Sequence, residues 1–175
     1  MTTTTSANDA KFLSLIHDVK DFPKPGVMFK DISPLLASPT EFPRLIVTLC
    51  DLIRDKKPDA IAGVESRGFI LAAAMAQELG CGFVPVRKKG KLPPPVVHHS
   101  YKLEYGEDAI EVKRGQGRIV LVDDVLATGG TLNAAANALA EAGYGVVDLA
   151  VMIDLRFLNK FEWRGMKCKS VLKFD

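Results

Sequence analysis

Apolar residues recur at helical spacing near the start of the chain. Phe12, Leu13, Ile16 and Val19 predict a helix that Pro23 ends. Ser38-Pro39-Thr40-Glu41 reads as a capping box with proline at the first helical position. Phe42, Leu45, Ile46, Leu49 and Ile53 then mark one face of a second helix. Lys56 and Lys57 suit its C-terminal end, and Pro58 blocks continuation. Beyond it the pattern alternates. Mainly apolar runs at 60–64, 83–86, 119–122 and 146–153 predict strands, and 170–174 predicts a further strand at an edge. Alanine-rich stretches at 68–79, closed by Gly80, and at 131–142, stopped by Gly143, predict the helices between them. Continuous apolar strands separated by helices are buried on both faces. The pattern therefore predicts an α/β fold, a mostly parallel sheet flanked by helices. The stretch 88–113 breaks the alternation. It is basic, proline-rich and aromatic, which marks a surface excursion with a function.

Composition narrows the class. A chain of 175 residues fits one domain, 1–175. With 47% hydrophobic and 25% charged residues it is neither disordered nor collagen-like nor a disulfide-stapled miniprotein. Lys and Arg total 23 against 21 Asp and Glu, a net charge of +2, so bulk charge gives no sign of a nucleic-acid partner. Cys50, Cys81 and Cys168 are far apart and form no metal-ligand pair. In apolar surroundings they predict reduced, buried thiols. Residues 1–8 carry no basic side chain or apolar core of a leader, and the longest apolar run, 69–76, is too short to span a bilayer. The expectation is a soluble cytoplasmic protein with no membrane partner.

The strongest chemical signal is VLVDDVLATGGT at 120–131. A buried strand delivers Asp123 and Asp124 to its carboxyl end, where open α/β sheets bind ligands. Thr128, Gly129, Gly130 and Thr131 follow as a loop of small residues opening a helix. Backbone N–H groups, two hydroxyls and a helix N-terminus there suit a phosphate. The carboxylates repel phosphate. They suit the hydroxyls of a ribose, or a metal ion. Together they read as a sugar-phosphate site. A Walker B strand is the nearest mimic, but its partner G-x-x-x-x-G-K-[ST] is absent from the sequence. Gly63-Val64-Glu65-Ser66-Arg67-Gly68 has the two glycines, with Phe69 and Ile70 where the lysine and hydroxyl residue would stand. This second strand-to-helix turn offers a cradle for another phosphate, with Arg67 supplying charge. Arg87-Lys88-Lys89-Gly90-Lys91 leaves the same sheet edge with four cations in five residues. The three loops fit a substrate with a phosphate at one end and a pyrophosphate at the other. His17, His98 and His99 have no partners at metal or triad spacing and are expected to be structural or solvated.

VLVDDVLATGGT resembles the phosphoribosyl-pyrophosphate motif of type I phosphoribosyltransferases. PGVMFKDISPLL (25–36), ESRGF (65–69), RKKGKLP (87–93) and SYKLEYG (100–106), collinear with it, resemble the adenine phosphoribosyltransferase family. The resemblance implies a single-domain type I phosphoribosyltransferase fold, 1–175, with a mobile hood, its flexible catalytic loop at about 88–113. It implies a purine salvage enzyme making AMP and pyrophosphate from adenine and 5-phosphoribosyl 1-pyrophosphate, working in the cytoplasm as a homodimer. Mg2+ is the implied cofactor, held mainly by substrate oxygens and water, with no direct protein ligand.

Residue by residue, Asp123 and Asp124 hold the ribose hydroxyls, and Ala127, Thr128, Gly129, Gly130 and Thr131 hold the 5′-phosphate. Ser66 and Arg67 belong to the pyrophosphate loop, and Arg67, with Glu104, is catalytic. Arg87, Lys88 and Lys91 approach pyrophosphate. Met28, Phe29 and Lys30 read adenine, the backbone at its edge and Phe29 on its ring. Glu104 handles the purine proton, with Tyr105 beside it. The competing readings are a non-catalytic sensor of phosphoribosyl pyrophosphate and a transferase for another base.

Overall fold

The computed structural model describes residues 7–103 and 106–175, with side chains described for 10–100 and 109–175. The chain divides into two compact units, Met1–Val47 and Thr48–Asp175.

In the first unit, helix α1 (Ala7–Ser14) is followed by strands β1 (His17–Lys20) and β2 (Met28–Asp31), which pair antiparallel from His17↔Asp31 to Lys20↔Met28. The sequence pattern placed Val19 on a helix. The structure places it on β1, opposite Phe29. A further helical turn would have carried His17, Asp18 and Lys20, which offer no apolar face; pairing with β2 satisfies the same backbone groups. In the connection, Asp21 Oδ1 accepts the Gly26 N–H at 2.8 Å, where Gly26 has φ +85°. Helix α2 (Ser33–Ala37) leads to α3 (Glu41–Ile53), in which the unit boundary falls. Half of the capping box forms: Ser38 Oγ accepts the Glu41 N–H at 3.0 Å. The Ser38 N–H is already bound to Leu35 O, and the Glu41 carboxylate takes Arg44 at 2.8 and 2.9 Å instead.

The second unit is built on β3 (Ala60–Val64), α4 (Arg67–Leu79), β4 (Gly82–Lys88), β5 (Val97–Leu103), β6 (Gly106–Val112), β7 (Arg118–Leu126), α5 (Gly130–Ala142), β8 (Gly145–Leu155), the short β9 (Glu162–Trp163) and β10 (Met166–Lys167), and β11 (Lys169–Phe174). Seven strands form one sheet in the order β11-β8-β7-β3-β4-β6-β5. The first five are mutually parallel, and β11 is an edge as its position in the pattern predicts. The break in the alternation at 88–113 is a change of strand direction: β5 and β6 form a hairpin that pairs antiparallel with the end of β4. Strand β7 runs to Leu126, four residues past the apolar run, because β8 is long enough to pair with it from Arg118 to Leu126.

Parallel strands need crossovers, and α4 and α5 supply them. Ile61, Ala62, Ile119, Leu121, Leu139, Leu149 and Val151 have no exposure and centre the core. Helix α4 packs on β3 and β7, and α5 packs on β5, β6, β7 and β8. The approach of α4 depends on Gly63, where a Cβ would stand 2.7 Å from the Ala72 Cβ and 3.0 Å from the Gly68 carbonyl oxygen. No helix among the described residues is long and apolar enough to cross a membrane. Gly63→Ala should cost about 1–3 kcal/mol of stability, the usual penalty for overpacking against backbone. Urea unfolding measures it, and an unchanged midpoint refutes the tight α4–β3 contact.

Candidate active site

The chain leaves β3 toward β4 on one side and leaves β7 toward β8 on the other. Their carboxyl ends therefore flank the point where the winding of the sheet reverses, the crevice in which open α/β sheets take their ligands. Pairing between the two strands ends at Gly63↔Val122. Strand β7 continues beyond it, and the next residues are Asp123 and Asp124.

Both carboxylates are buried, with 8% and 7% exposure. The first turn of α4 closes over them. A Cβ on Gly68 would lie 2.8 Å from Asp123 Oδ1 and 3.1 Å from the Val122 carbonyl oxygen, so only glycine allows this approach. Asp123 Oδ1 accepts the Asp124 N–H at 2.9 Å. Burial, reinforced by the neighbouring Asp124 charge, raises the Asp123 pKa well above the usual carboxylate range. Arg67, in the first turn of α4, brings Nη2 to 2.6 Å from Asp124 Oδ2. The contact is an ion pair rather than an aligned hydrogen bond, since that oxygen has no partner of hydrogen-bond geometry among the described residues. The β3 and β7 turns, far apart in sequence, thus meet at the acidic pair.

After β7 the chain turns through Ala127, Thr128 and Gly129 into α5. Gly129 has φ +87°, and a Cβ there would stand 2.5 Å from Phe161 Cδ2, so both the backbone and the ring beneath demand glycine. No side chain among the described residues caps α5. The N–H groups of its first turn have no partner within the helix and carry the positive end of its dipole. They border a cavity of about 70 Å³ lined by residues 125–132. Ala127, Thr128, Gly129, Gly130 and Thr131, the residues expected to hold a phosphate, are all in this lining.

On the other side, β3 and β4 pair in register up to Val64↔Val86, which sets Glu65 beside Arg87. The guanidinium forks onto the carboxylate, Nη2 to Oε1 at 2.9 Å and Nε to Oε2 at 3.1 Å, and the Lys88 N–H reaches the same Oε2 at 3.2 Å. Arg87 holds the Glu65 carboxyl below its ordinary pKa, and Glu65 in turn raises that of Arg87. Arg87 also donates to Lys91 O at 3.0 Å, closing the basic turn. Ser66 is exposed at the start of α4 after a cis Glu65–Ser66 peptide, and its hydroxyl does not cap the helix. Sequence reasoning missed Glu65 as a partner. Its signal, an acid one residue past a strand, becomes legible only once the register with β4 is known.

The structure brings Ser66, Arg67, Asp123, Asp124 and the α5 loop to the switch point, with Arg87, Lys88 and Lys91 one strand over. Met28, Phe29 and Lys30 lie on β2 of the first unit; there Phe29 meets Phe22 edge-on at 4.9 Å, and Lys30 pairs with Asp18 at 2.6 Å. Glu104 and Tyr105 lie outside the described residues. All three cysteines are free thiols, but only Cys50 is buried, which pushes its pKa up to about 11; Cys81 and Cys168 are half-buried. His98 and His99 are not simply solvated: they stand 3.3 Å from Glu111 and 2.9 Å from Glu141.

Residues 35–167 match the sequence model of the phosphoribosyl transferase domain. Adenine phosphoribosyltransferase of Bdellovibrio bacteriovorus is 50% identical over 161 residues, 92% of this chain and 98% of that one. A crystal structure of adenine phosphoribosyltransferase from Thermoanaerobacter pseudethanolicus is similar with TM-score 0.86 at 39% identity, covering 94% of this chain and 99% of that one. The Giardia lamblia enzyme complexed with 9-deazaadenine has TM-score 0.85 at 34% identity, covering 98% and 99%. A parallel sheet with an acidic pair and a phosphate-type loop at its switch point is the design of a type I phosphoribosyltransferase. Within that class, this chain belongs to the adenine phosphoribosyltransferase family.

A raised carboxylate pKa has a consequence for stability. An acid that holds its proton more tightly when folded loses stability as pH rises from its unfolded value, near 4, through its folded value. Asn at 123 keeps the Oδ1 acceptor and cannot ionise. Asp123→Asn should therefore unfold at a higher temperature than the parent at pH 7, with the gap closing toward pH 4, while turnover falls. Thermal melts across that range test it; a variant less stable at pH 7, or a gap independent of pH, overturns the buried-charge account.

Proposed function

We propose that this enzyme transfers the phosphoribosyl group of 5-phosphoribosyl 1-pyrophosphate to adenine, giving AMP and pyrophosphate, with Mg2+, in the cytoplasm as a homodimer and as a single 1–175 domain. The observation that carries the reading is the meeting of the β3 and β7 turns: Arg67 on Asp124 at 2.6 Å, beside an uncapped helix N-terminus.

The α5 loop takes the 5′-phosphate on its free N–H groups and on the hydroxyls of Thr128 and Thr131. Asp123 and Asp124 take the ribose hydroxyls, which a carboxylate pair attracts and a phosphate does not. Ser66, Arg67, Arg87, Lys88 and Lys91 face the pyrophosphate. In the ligand-free state the two arginines rest on Asp124 and Glu65. Substrate binding exchanges those carboxylates for phosphate oxygens, so the cations stay paired throughout. As the C1′–oxygen bond lengthens, positive charge grows on the ribose and negative charge on the departing pyrophosphate, where Arg67 and the basic turn are placed to receive it. The purine nitrogen attacks C1′ from the opposite face. Glu104 holds the purine proton, and Tyr105 stands beside it. Mg2+ would be held mainly by substrate oxygens and water, and the hard oxygen donors of the adjacent Asp123 and Asp124 suit such a hydrated ion. When bound, Mg2+ would neutralise pyrophosphate charge.

A panel of bases assayed with phosphoribosyl pyrophosphate and Mg2+ tests the function directly. On this reading the backbone of Met28, Phe29 and Lys30 meets the purine edge, a carbonyl accepting from the 6-amino group and an N–H donating to N1. Hypoxanthine reverses both groups, and backbone cannot rotate away as a side-chain amide can. Adenine should exceed hypoxanthine and guanine by at least ~10³ in kcat/KM. Comparable values for adenine and hypoxanthine move this chain to another base; no turnover with any base, with binding retained, makes it a sensor.

Glu104 acts on the base rather than on phosphoribosyl pyrophosphate. Glu104→Gln should cut kcat by roughly 10²–10⁴, the range of a general acid or base. Affinity for phosphoribosyl pyrophosphate should hold. If affinity collapses while kcat holds, the residue anchors substrate instead.

A further inference from the structure

Among the described residues three buried carboxylates, Glu111, Asp148 and Asp154, remain outside the scheme above, and only Glu111 reaches the basic turn. Glu111, on β6, is 2% exposed, and it lies under the basic turn rather than in the crevice. Its Oε1 accepts the Gly90 N–H at 2.7 Å and its Oε2 accepts the Leu92 N–H at 3.3 Å. His98 Nδ1, from the neighbouring strand β5, stands 3.3 Å from the same Oε1. Each of these contacts favours the charged carboxylate, and the Gly90 N–H above all holds its pKa below the ordinary value despite burial.

The geometry is that of a clamp. A turn of four cations repels itself and, left to its side chains, would sample many conformations. Here the backbone is fixed at three points from β6. Lys88 pairs with Ile110, the Lys89 N–H donates to Ala109 O at 2.9 Å, and Glu111 spans the two N–H groups that follow. Gly90 has φ +80°, the conformation that turns its N–H inward to the carboxylate. Just beyond β6, Lys113 Nζ donates to the carbonyl oxygens of Pro93 and Pro95, which secures the far end of the turn.

We propose that Glu111 is a positioning residue for pyrophosphate, acting through the backbone of Gly90 and Leu92 to hold Arg87, Lys88 and Lys91 in one arrangement at the sheet edge. The inference rests on the reading of that turn as a pyrophosphate site. Glutamine at 111 keeps the size of the side chain but sets an amide donor against one of the two N–H donors, so the turn loses an anchor. Aspartate keeps the charge but falls short of spanning both groups.

The test compares Glu111→Gln, Glu111→Asp and Lys88→Ala with the parent enzyme, using inorganic pyrophosphate as the probe. Glu111→Gln should raise both KM for phosphoribosyl pyrophosphate and the inhibition constant of pyrophosphate by roughly tenfold, leaving KM for adenine within about twofold. Glu111→Asp should fall between glutamine and the parent, and it carries the test if the glutamine variant does not fold. A loss confined to kcat, with both pyrophosphate-side constants unchanged, marks a merely structural residue and overturns the proposal. If Lys88→Ala raises those constants and the Glu111 variants do not, positioning by Glu111 fails while the pyrophosphate reading stands. If neither moves them, the basic turn is not the pyrophosphate site and both fall together.

Discussion

The parallel pairing of β3 with β7 is the constraint on which the site depends. Their ladder ends at Gly63↔Val122, and the chemical groups begin just beyond it, at Asp123 on β7 and at Glu65 after the end of β3. Because β3 stops and β7 continues, the first turn of α4 can settle over Asp123, and two glycines make that possible. Gly63 lets α4 approach β3, and Gly68 lets its first turn touch the carboxylate. A side chain at either would push the helix away and carry Arg67 with it. The pairing sets distances between groups some sixty positions apart without any direct link between the loops that carry them.

The same arrangement resolves an electrostatic difficulty. A site for a sugar bearing a phosphate and a pyrophosphate must be rich in cations, yet it must also stand folded while empty. Here the two arginines nearest the crevice have carboxylates of their own, Asp124 and Glu65. These pairs are part-exposed, so each stabilises the fold only modestly. Their larger effect is to keep the guanidinium groups oriented and to avoid a cluster of unpaired positive charge. The acidic pair itself carries the opposite cost. Asp123 is enclosed beside another carboxylate, and its raised pKa shows that the fold tolerates a destabilising group at this position.

What was legible in the sequence was local. Mainly apolar runs marked four of the five parallel strands, the short 170–174 stretch marked the edge strand, and alanine-rich stretches ending in glycine marked α4 and α5 to within one residue of their starts, because these signals lie in consecutive residues. The acidic pair and the α5 loop were legible for the same reason. Misreadings came wherever a partner decided the outcome. Val19 has helical spacing but pairs with Phe29, and β7 extends to Leu126 because β8 is there to bond with it. The sequence pattern assigned no partner to Glu65 or Glu111. One meets Arg87 through the β3–β4 register, and the other meets Gly90 and Leu92 through the return of β6 alongside β4. Phe161, which stands against Gly129, approaches from more than thirty residues away.

The reversal of strand direction at β6 joins an architectural need to a chemical one. Without the hairpin, the end of β4 would be an open edge presenting unpaired backbone groups to solvent and to other chains. The hairpin covers that end, and its outer strand β5 is in turn packed by α5 and tied to it through His99 and Glu141. A further crossover helix and parallel strand would also have covered β4, but the chain would then have departed over a face of the sheet. The antiparallel return instead keeps the residues after β4 in a tight turn at the carboxyl edge, with β6 running back directly beside them. That places Glu111 under the cations it anchors, so the element that closes the sheet is also the one that holds its basic turn in place.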